Sequence, residues 1–176
     1  QRAILPLYIE HHKRLYEIIK DDIGGSSFCA FNIYGKGRIA KLQCDFSAMI
    51  SPKMFEDFVV PYMEPQCQAL DHTVYHWDGA CALQHEGPLL NSLPSLEAIQ
   101  WTPGAGQPCV SDPYWYPLHH RIREAGKSLL ILGAAPQHVQ DLVEEFGPEG
   151  LNIITRVGSP EEADDLVRRS YTWRKR

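Results

Sequence analysis

The stretch VYHWDG, residues 74–79, places an imidazole and a carboxylate two positions apart at the end of an apolar run. Alternate residues of a strand point to the same side, so His76 and Asp78 are predicted to face one space. A histidine near an aspartate can act as a general acid, or can bind a substrate carboxylate as imidazolium. The alternatives are a partial metal site, or a structural turn in which Asp78 caps the backbone before Gly79.

Further polar and aromatic candidates lie where other predicted strands end. They are Asp45, Gln100, Trp101 and Arg156. Asp45 could bind substrate or cap the next turn, and Trp101 could form a flat wall for a ring-shaped ligand or close the core. Arg156 follows an apolar run, where a cation is costly to bury alone, so it could meet a substrate carboxylate or pair with Asp78.

The elements that would position these residues alternate along the chain. Strands are predicted at residues 27–33, 38–44, 72–77, 96–101, 127–134 and 151–157. Helices are predicted at residues 7–21, from Ser51 onward, and at 81–93, 113–125, 136–146 and 159–173. Continuously apolar strands that alternate with helices indicate an α/β fold with parallel (β/α) units. In such folds active groups lie at the carboxyl ends of the strands, which is where the candidates fall.

The helix that begins near Ser51 carries the clearest apolar face. Phe55, Phe58, Val59 and Tyr62 fall at positions i, i+3, i+4 and i+7. This spacing predicts one buried face. We expect Pro61 and Pro65 to kink the helix or to divide it in two.

Composition narrows the function classes. The 176 residues are 44% hydrophobic and 22% charged, as in a globular domain, and the formal charge of -5 argues against nucleic-acid or anionic-membrane binding. The longest purely apolar runs, such as LLIL at 129–132, are too short to cross a bilayer. Five cysteines without a CxxC pair predict reduced thiols and a cytoplasmic protein.

Three segments, taken in order, carry a family resemblance: LQCDFSAMISPKMFEDFVVPYM, YHWDGACALQH and AIQWTPGAGQP. They resemble the uroporphyrinogen decarboxylase-like superfamily, and within it a large bacterial branch rather than the haem-pathway enzyme. The resemblance implies a (β/α)₈ TIM barrel. Because family chains are roughly twice as long, it also implies that residues 1–176 form the C-terminal half of a single barrel domain whose N-terminal half is absent.

The resemblance implies two activities. One is decarboxylation of an acidic substrate such as a tetrapyrrole, which we expect first, and the other is methyl transfer with a corrinoid protein or a thiol. In the methyltransferase branch a His-x-Cys pair and a later cysteine hold zinc. In this chain His76 matches that histidine, but Asp78 occupies the position of the first cysteine and Val157 that of the second. Candidates for a further zinc ligand are Cys81, Cys109, His85 or the other half of the barrel.

A third hypothesis is a non-catalytic half-barrel that serves in assembly or binding. A half-barrel would expose two sheet edges and an apolar face. We therefore expect it to join an N-terminal half-barrel or to self-associate.

Overall fold

The computed structural model describes residues 3–175, which form seven helices and seven strands. The helices are α1 (Ile4–Ile19), α2 (Pro52–Phe58), α3 (Val60–Ala69), α4 (Glu86–Asn91), α5 (Tyr116–Glu124), α6 (Val139–Phe146) and α7 (Pro160–Ser170). The strands are β1 (Gly25–Phe28), β2 (Ile33–Lys36), β3 (Ile39–Gln43), β4 (His72–Asp78), β5 (Ala98–Thr102), β6 (Ser128–Ala134) and β7 (Leu151–Thr155). Short 3-10 turns lie at Cys29–Phe31, Asp45–Met49, Ala80–His85, Pro113–Trp115 and Pro136–His138.

Strands β3 to β7 form a five-stranded parallel sheet in chain order, flanked by helices. The register pairs Gln43 with His76 in β3 and β4, and Ile131 with Ile153 in β6 and β7. The predicted α/β class with parallel (β/α) units is therefore confirmed. A bulge between Leu132 and Ala134 shifts the β6–β7 register near the end of β6.

The segment before β3 differs from the prediction of one strand over residues 27–33. Strands β1 and β2 instead form an antiparallel hairpin, separate from the main sheet. The 3-10 turn Cys29–Phe31 interrupts the predicted strand, and Asn32 follows with a φ of 49°. Asparagine is among the few non-glycine residues that adopt this left-handed conformation readily, so the chain can reverse there.

Helices α2 and α7 begin where the sequence predicted, after Ser51 and Ser159. The Ser51 hydroxyl accepts the backbone N–H of Met54, and the Ser159 hydroxyl accepts that of Glu162. Each serine is followed by a proline at the first helical position, where no backbone N–H donor is needed. The Glu162 carboxylate in turn accepts the backbone N–H of Gly158 at 2.7 Å, which strengthens the start of α7.

The prediction of one buried apolar face from Phe55 to Tyr62 is wrong. Phe55 is fully buried, but Phe58 is 60% exposed. The helix breaks at Val59, so α2 and α3 are separate helices and the four residues do not share one continuous face. The division into two helices near Pro61 is confirmed. A seven-residue helix such as α2 can bury only a narrow stripe.

Helix α1 begins earlier than predicted, at Ile4 rather than residue 7, and it has no buried residue. Leu7, Leu15 and Ile18 are 53% to 78% exposed. None of the helices in the described part of the chain has the length and apolar character needed to span a lipid bilayer.

Contacts divide the described chain into two compact units. The first comprises residues 3–77 and 81–98, and the second comprises residues 78–80 and 99–175. Large side chains fill the core of each unit. In the first these include Phe55, Tyr75, Trp77, Leu89, Leu93 and Leu96, and in the second Ile99, Trp101, Ile122, Leu129, Ile131 and Leu142. All four tryptophans of the chain, Trp77, Trp101, Trp115 and Trp173, are buried.

Candidate functional site

A row of polar side chains runs along one side of β3 in the first unit. Lys41, Gln43 and Asp45 lie at alternate positions, and we call them the β3 polar row. The Lys41 ammonium donates to Oε1 of Gln43, and Nε2 of Gln43 donates to Oδ1 of Asp45. Ala40 and Leu42 point to the other side and are buried. The row therefore extends from the middle of β3 to the exposed Asp45 just beyond it.

Strand β4 brings His76 to the same side. The parallel register pairs Gln43 with His76, and residues paired in this way project from the same face of the sheet. The ring of Phe31, which is buried, lies 5.8 Å from the imidazole between centroids, at an interplanar angle of 50°. His76 thus has the β3 polar row on one strand beside it and an apolar ring from the hairpin against it.

A cavity of about 180 Å³ opens at the carboxyl end of β3. It is lined by residues of α1, of α3 and the residue before it, and of the end of β3 and the residue after it: Ile4, Leu5, Tyr8, Gln43, Cys44, Val59, Tyr62, Met63 and Gln66. Burial raises the pKa of Tyr8 and also that of Cys44 above their ordinary values. Both groups are therefore protonated at neutral pH. The cavity presents neutral polar groups in a largely apolar wall.

Asp78 is the last residue of β4, is exposed, and belongs to the second unit. The backbone that follows it is fixed to the end of β5. The N–H of Gly79 donates to the carbonyl of Thr102 at 2.8 Å, and the N–H of Ala80 donates to that of Pro103 at 3.1 Å. Gly79 has a φ of 84°, a backbone conformation that is unfavourable for residues with a side chain. The turn after Asp78 is therefore well defined by the backbone.

The other predicted site residues of the second unit have different surroundings. Gln100 is buried, and its Nε2 donates to the carbonyl of Trp101 and to Oγ1 of Thr102, both at 2.9 Å. Trp101 is fully buried and packs edge-on against Trp115, with centroids 5.2 Å apart. Arg156 follows β7 directly and is exposed. Gln100 and Trp101 are thus packed in the core, whereas Arg156 is accessible.

The side chains considered as zinc ligands do not assemble. His85 is buried, with Nε2 2.6 Å from the carbonyl of Ser47 and its ring stacked on Phe55 at 4.7 Å. A carbonyl only accepts, so Nε2 of His85 carries a proton and donates it. Within residues 3–175, no three His, Cys, Asp or Glu side chains lie close enough together to hold a metal ion.

Comparisons of the chain with protein-family models, curated protein sequences and solved structures found no match. The likeness to the uroporphyrinogen decarboxylase-like superfamily therefore rests on the three sequence segments alone.

Lys41, Gln43 and Phe31 were not among the residues predicted from the sequence. The signal for the first two was available: in IAKLQCD the polar residues alternate with small or apolar ones, as expected for a strand with one polar face. Phe31 had no such signal, because its contact with His76 depends on how the β1–β2 hairpin folds back.

Proposed function

We propose that the parallel sheet is half of a (β/α)₈ barrel and that the chain is a decarboxylase-like enzyme acting on an acidic substrate. The observation that carries the proposal is the pairing of Gln43 with His76, which places an imidazole beside the β3 polar row at the carboxyl ends of two parallel strands. These strand ends are the usual position of active groups in parallel α/β folds.

The ammonium group of Lys41 in the β3 polar row suits a carboxylate substrate. Lys41 uses one of its three donors on Gln43, which leaves two for a substrate carboxylate. Asp45, by accepting from Gln43, holds the amide oxygen of Gln43 toward Lys41. The row therefore fixes the direction of the ammonium group.

His76 has the chemistry that the second half of the reaction needs. When the carbon–carboxylate bond breaks and CO₂ leaves, its electron pair stays on the substrate carbon and must be protonated. An imidazolium can deliver that proton. The apolar ring of Phe31 limits water beside the imidazole, which favours the loss of a charged carboxylate as neutral CO₂.

Methyl transfer with a corrinoid protein or a thiol is the alternative activity of the same superfamily. It relies on a thiolate zinc site in the relatives, and this chain has Asp78 and Val157 at the matching positions. We therefore place decarboxylation first.

The test uses uroporphyrinogen for CO₂ release and the stable, coloured uroporphyrin for binding. We expect His76→Gln to lower the rate of CO₂ release about 100-fold with little change in uroporphyrin binding, since it removes the proton donor. Lys41→Gln is expected to weaken uroporphyrin binding roughly tenfold.

Lys53→Gln is the matched control, because Lys53 is an exposed lysine of α2 paired with Asp57. It should behave as the parent chain. Equal CO₂ release and binding in the parent and both site variants would overturn the proposal. Demethylation of methylcobalamin without CO₂ release would favour methyl transfer.

A second candidate function, assembly, is favoured by α1. Its exposed Leu7, Leu15 and Ile18 form an apolar stripe, and Glu10, Arg14 and Glu17 provide charges of both signs beside it. An antiparallel second copy of this helix would match both the stripe and the charges.

Sedimentation velocity over a range of concentrations tests this candidate. We expect the parent chain to form dimers and the double variant Leu15→Gln/Ile18→Gln to be monomeric, with the same circular dichroism spectrum as the parent. A parent chain that remains monomeric at every concentration would exclude assembly through α1.

A further inference from the structure

The second unit contains a cluster of a thiol, a hydroxyl and an imidazole that the proposed decarboxylation does not use. The Sγ of Cys109 lies 3.3 Å from Oγ of Ser111, which lies 3.1 Å from Nδ1 of His138. The loop after β5 carries the cysteine and the serine, and the 3-10 turn after β6 carries the histidine. The three groups form a continuous hydrogen-bonded line.

The backbone fixes Ser111 in the middle of this line. Its side chain is fully buried, and Oγ accepts the backbone N–H of Ala135 at 2.9 Å. A hydroxyl has one proton and two lone pairs. Because the N–H of Ala135 occupies one lone pair, the Ser111 proton must point to Cys109 or His138, and the remaining lone pair accepts from the other.

These two arrangements correspond to two protonation states of the cluster. With a neutral thiol, Ser111 donates to Nδ1 of His138 and accepts a hydrogen bond from the Cys109 thiol. With a thiolate, His138 donates from Nδ1 to Ser111, and Ser111 donates to Sγ. One proton has then moved from Cys109 to His138 by way of Ser111, which leaves a thiolate and an imidazolium.

The surroundings of Cys109 stabilise its thiolate relative to that of an ordinary cysteine. Partial burial raises the pKa of Cys109, and the Asp112 carboxylate acts in the same direction. The hydrogen bonds from the Ser111 hydroxyl and from the backbone N–H groups of Ser111 and Ala135 outweigh both, so the pKa of Cys109 lies below its ordinary value. The contrast is Cys44, whose pKa is raised by burial.

Cys109 is also accessible, since it is one of three exposed cysteines, with Cys29 and Cys81. We propose that Cys109 is a nucleophilic thiol that forms mixed disulfides with low-molecular-weight disulfides, and that Ser111 and His138 are positioning residues that remove its proton. The thiolate attacks one sulfur of RS–SR, a new sulfur–sulfur bond forms, and the old one breaks. The departing RS⁻ takes up the proton that Cys109 lost, so the products are the mixed disulfide and RSH.

The test uses the exposed cysteines of the same chain as internal controls. The reduced chain is incubated with oxidised glutathione at pH 7, acid-quenched at intervals, and mapped by peptide mass spectrometry. We expect glutathione to appear on Cys109 about tenfold faster than on Cys29 or Cys81. Equal rates at the three cysteines would overturn the proposal.

Two variants test the relay. His138→Gln keeps a group that can hydrogen-bond Ser111 but cannot take up the proton, and Ser111→Ala removes the bridge. We expect each variant to slow the glutathione modification of Cys109 by about threefold or more. Each should also move the pH midpoint of Cys109 alkylation by iodoacetamide to a higher value. The rates of modification of Cys29 and Cys81 should not change. His138 is only partly buried, so His138→Gln remains informative if Ser111→Ala fails to fold. An unchanged Cys109 rate in folded His138→Gln would overturn the role of the imidazole.

Discussion

The Asp71 carboxylate accepts three hydrogen bonds from Arg38: from the backbone N–H at 2.8 Å, from Nε at 2.8 Å and from Nη2 at 3.2 Å. Arg38 precedes β3 and Asp71 precedes β4. The carbonyl of Arg38 accepts in return from the N–H groups of Asp71 and His72. This contact fixes the amino ends of the two strands, and it thereby helps to set the register that pairs Gln43 with His76 at the other end.

We expect Asp71→Asn to lower the free energy of unfolding by about 1–2 kcal/mol at pH 7, because it removes charge-assisted hydrogen bonds that are partly exposed to water. The hydrogen bonds from Arg38 hold the pKa of Asp71 below its ordinary value. The carboxylate therefore stabilises the fold above the pKa of the unfolded state, near 4, and this stabilisation is lost as the pH falls through the lower folded pKa.

Urea unfolding at pH 7, 4 and 3 measures both effects. The difference between the parent and Asp71→Asn should shrink at the lowest pH. Asp57→Asn is the control, since Asp57 pairs with the exposed Lys53. Asp57→Asn should change the free energy of unfolding little at any of the three pH values.

His119 should make the second unit sensitive to acid. It is fully buried, and neither ring nitrogen has a hydrogen-bond partner within the described chain. Burial, with a smaller effect of the neighbouring His120, lowers the pKa of His119 to about 4. Between pH 4 and pH 6.5, therefore, the unfolded state binds a proton at His119 that the folded state does not bind. Stability is full above pH 6.5 and falls by about 3 kcal/mol in total as the pH drops to 4.

The variant His119→Leu should remove this acid sensitivity and be at least as stable as the parent at pH 7, since two buried polar atoms disappear. Thermal melting between pH 4 and 7 measures it. His120→Gln is the comparison: His120 is half-exposed and pairs with Glu145 at 2.6 Å. If His119→Leu keeps the full acid dependence of the parent, another group is responsible.

Gly133 should resist replacement for a conformational reason alone. It lies at the bulge of β6 with a φ of 79°, and a Cβ there would meet no atom within 4 Å. Gly133→Ala should therefore cost about 1–2 kcal/mol through backbone strain. The control is Gly87→Ala in α4, where the space is also open and the φ is not positive. That change should be neutral or stabilising by up to about 1 kcal/mol. Equal melting temperatures of the two variants would contradict the prediction.

Phe55 and Phe58 offer a comparison within one helix. Phe55→Ala should lower the free energy of unfolding by about 3–5 kcal/mol, because it leaves a cavity beside His85. Phe58→Ala should change it by less than about 0.5 kcal/mol, because that ring is mostly in solvent. Chemical denaturation of the two variants measures the difference. Similar losses would support the continuous apolar face that the sequence suggested.

Much of the fold could be predicted because it depends on local pattern. The apolar runs from His72 onward marked the strands, and Ser51 and Ser159 marked two helix starts by capping chemistry. Phe58 shows where local pattern failed. Its spacing is helical, but its burial depends on what packs against the helix, and the break at Val59 removes the expected face.

The candidate sites depend on contacts between distant residues, and this limits prediction from the sequence. His76 was found because a strand end marks it, and Lys41 and Gln43 were within reach through their alternation. The link from Ser111 to His138 spans 27 residues. No local spacing connects them, since only the packing of two loops after neighbouring strands brings them together.

The burial of all four tryptophans has a practical consequence for following how the chain unfolds. A buried indole emits at shorter wavelength than one in water, so unfolding should shift the emission to the red. Trp77 lies in the first unit, and Trp101, Trp115 and Trp173 lie in the second. The fluorescence of a Trp77→Phe chain would therefore follow the second unit alone. Its denaturation curve, set against that of the parent and against circular dichroism, would show whether the two units lose their structure in one step or in two.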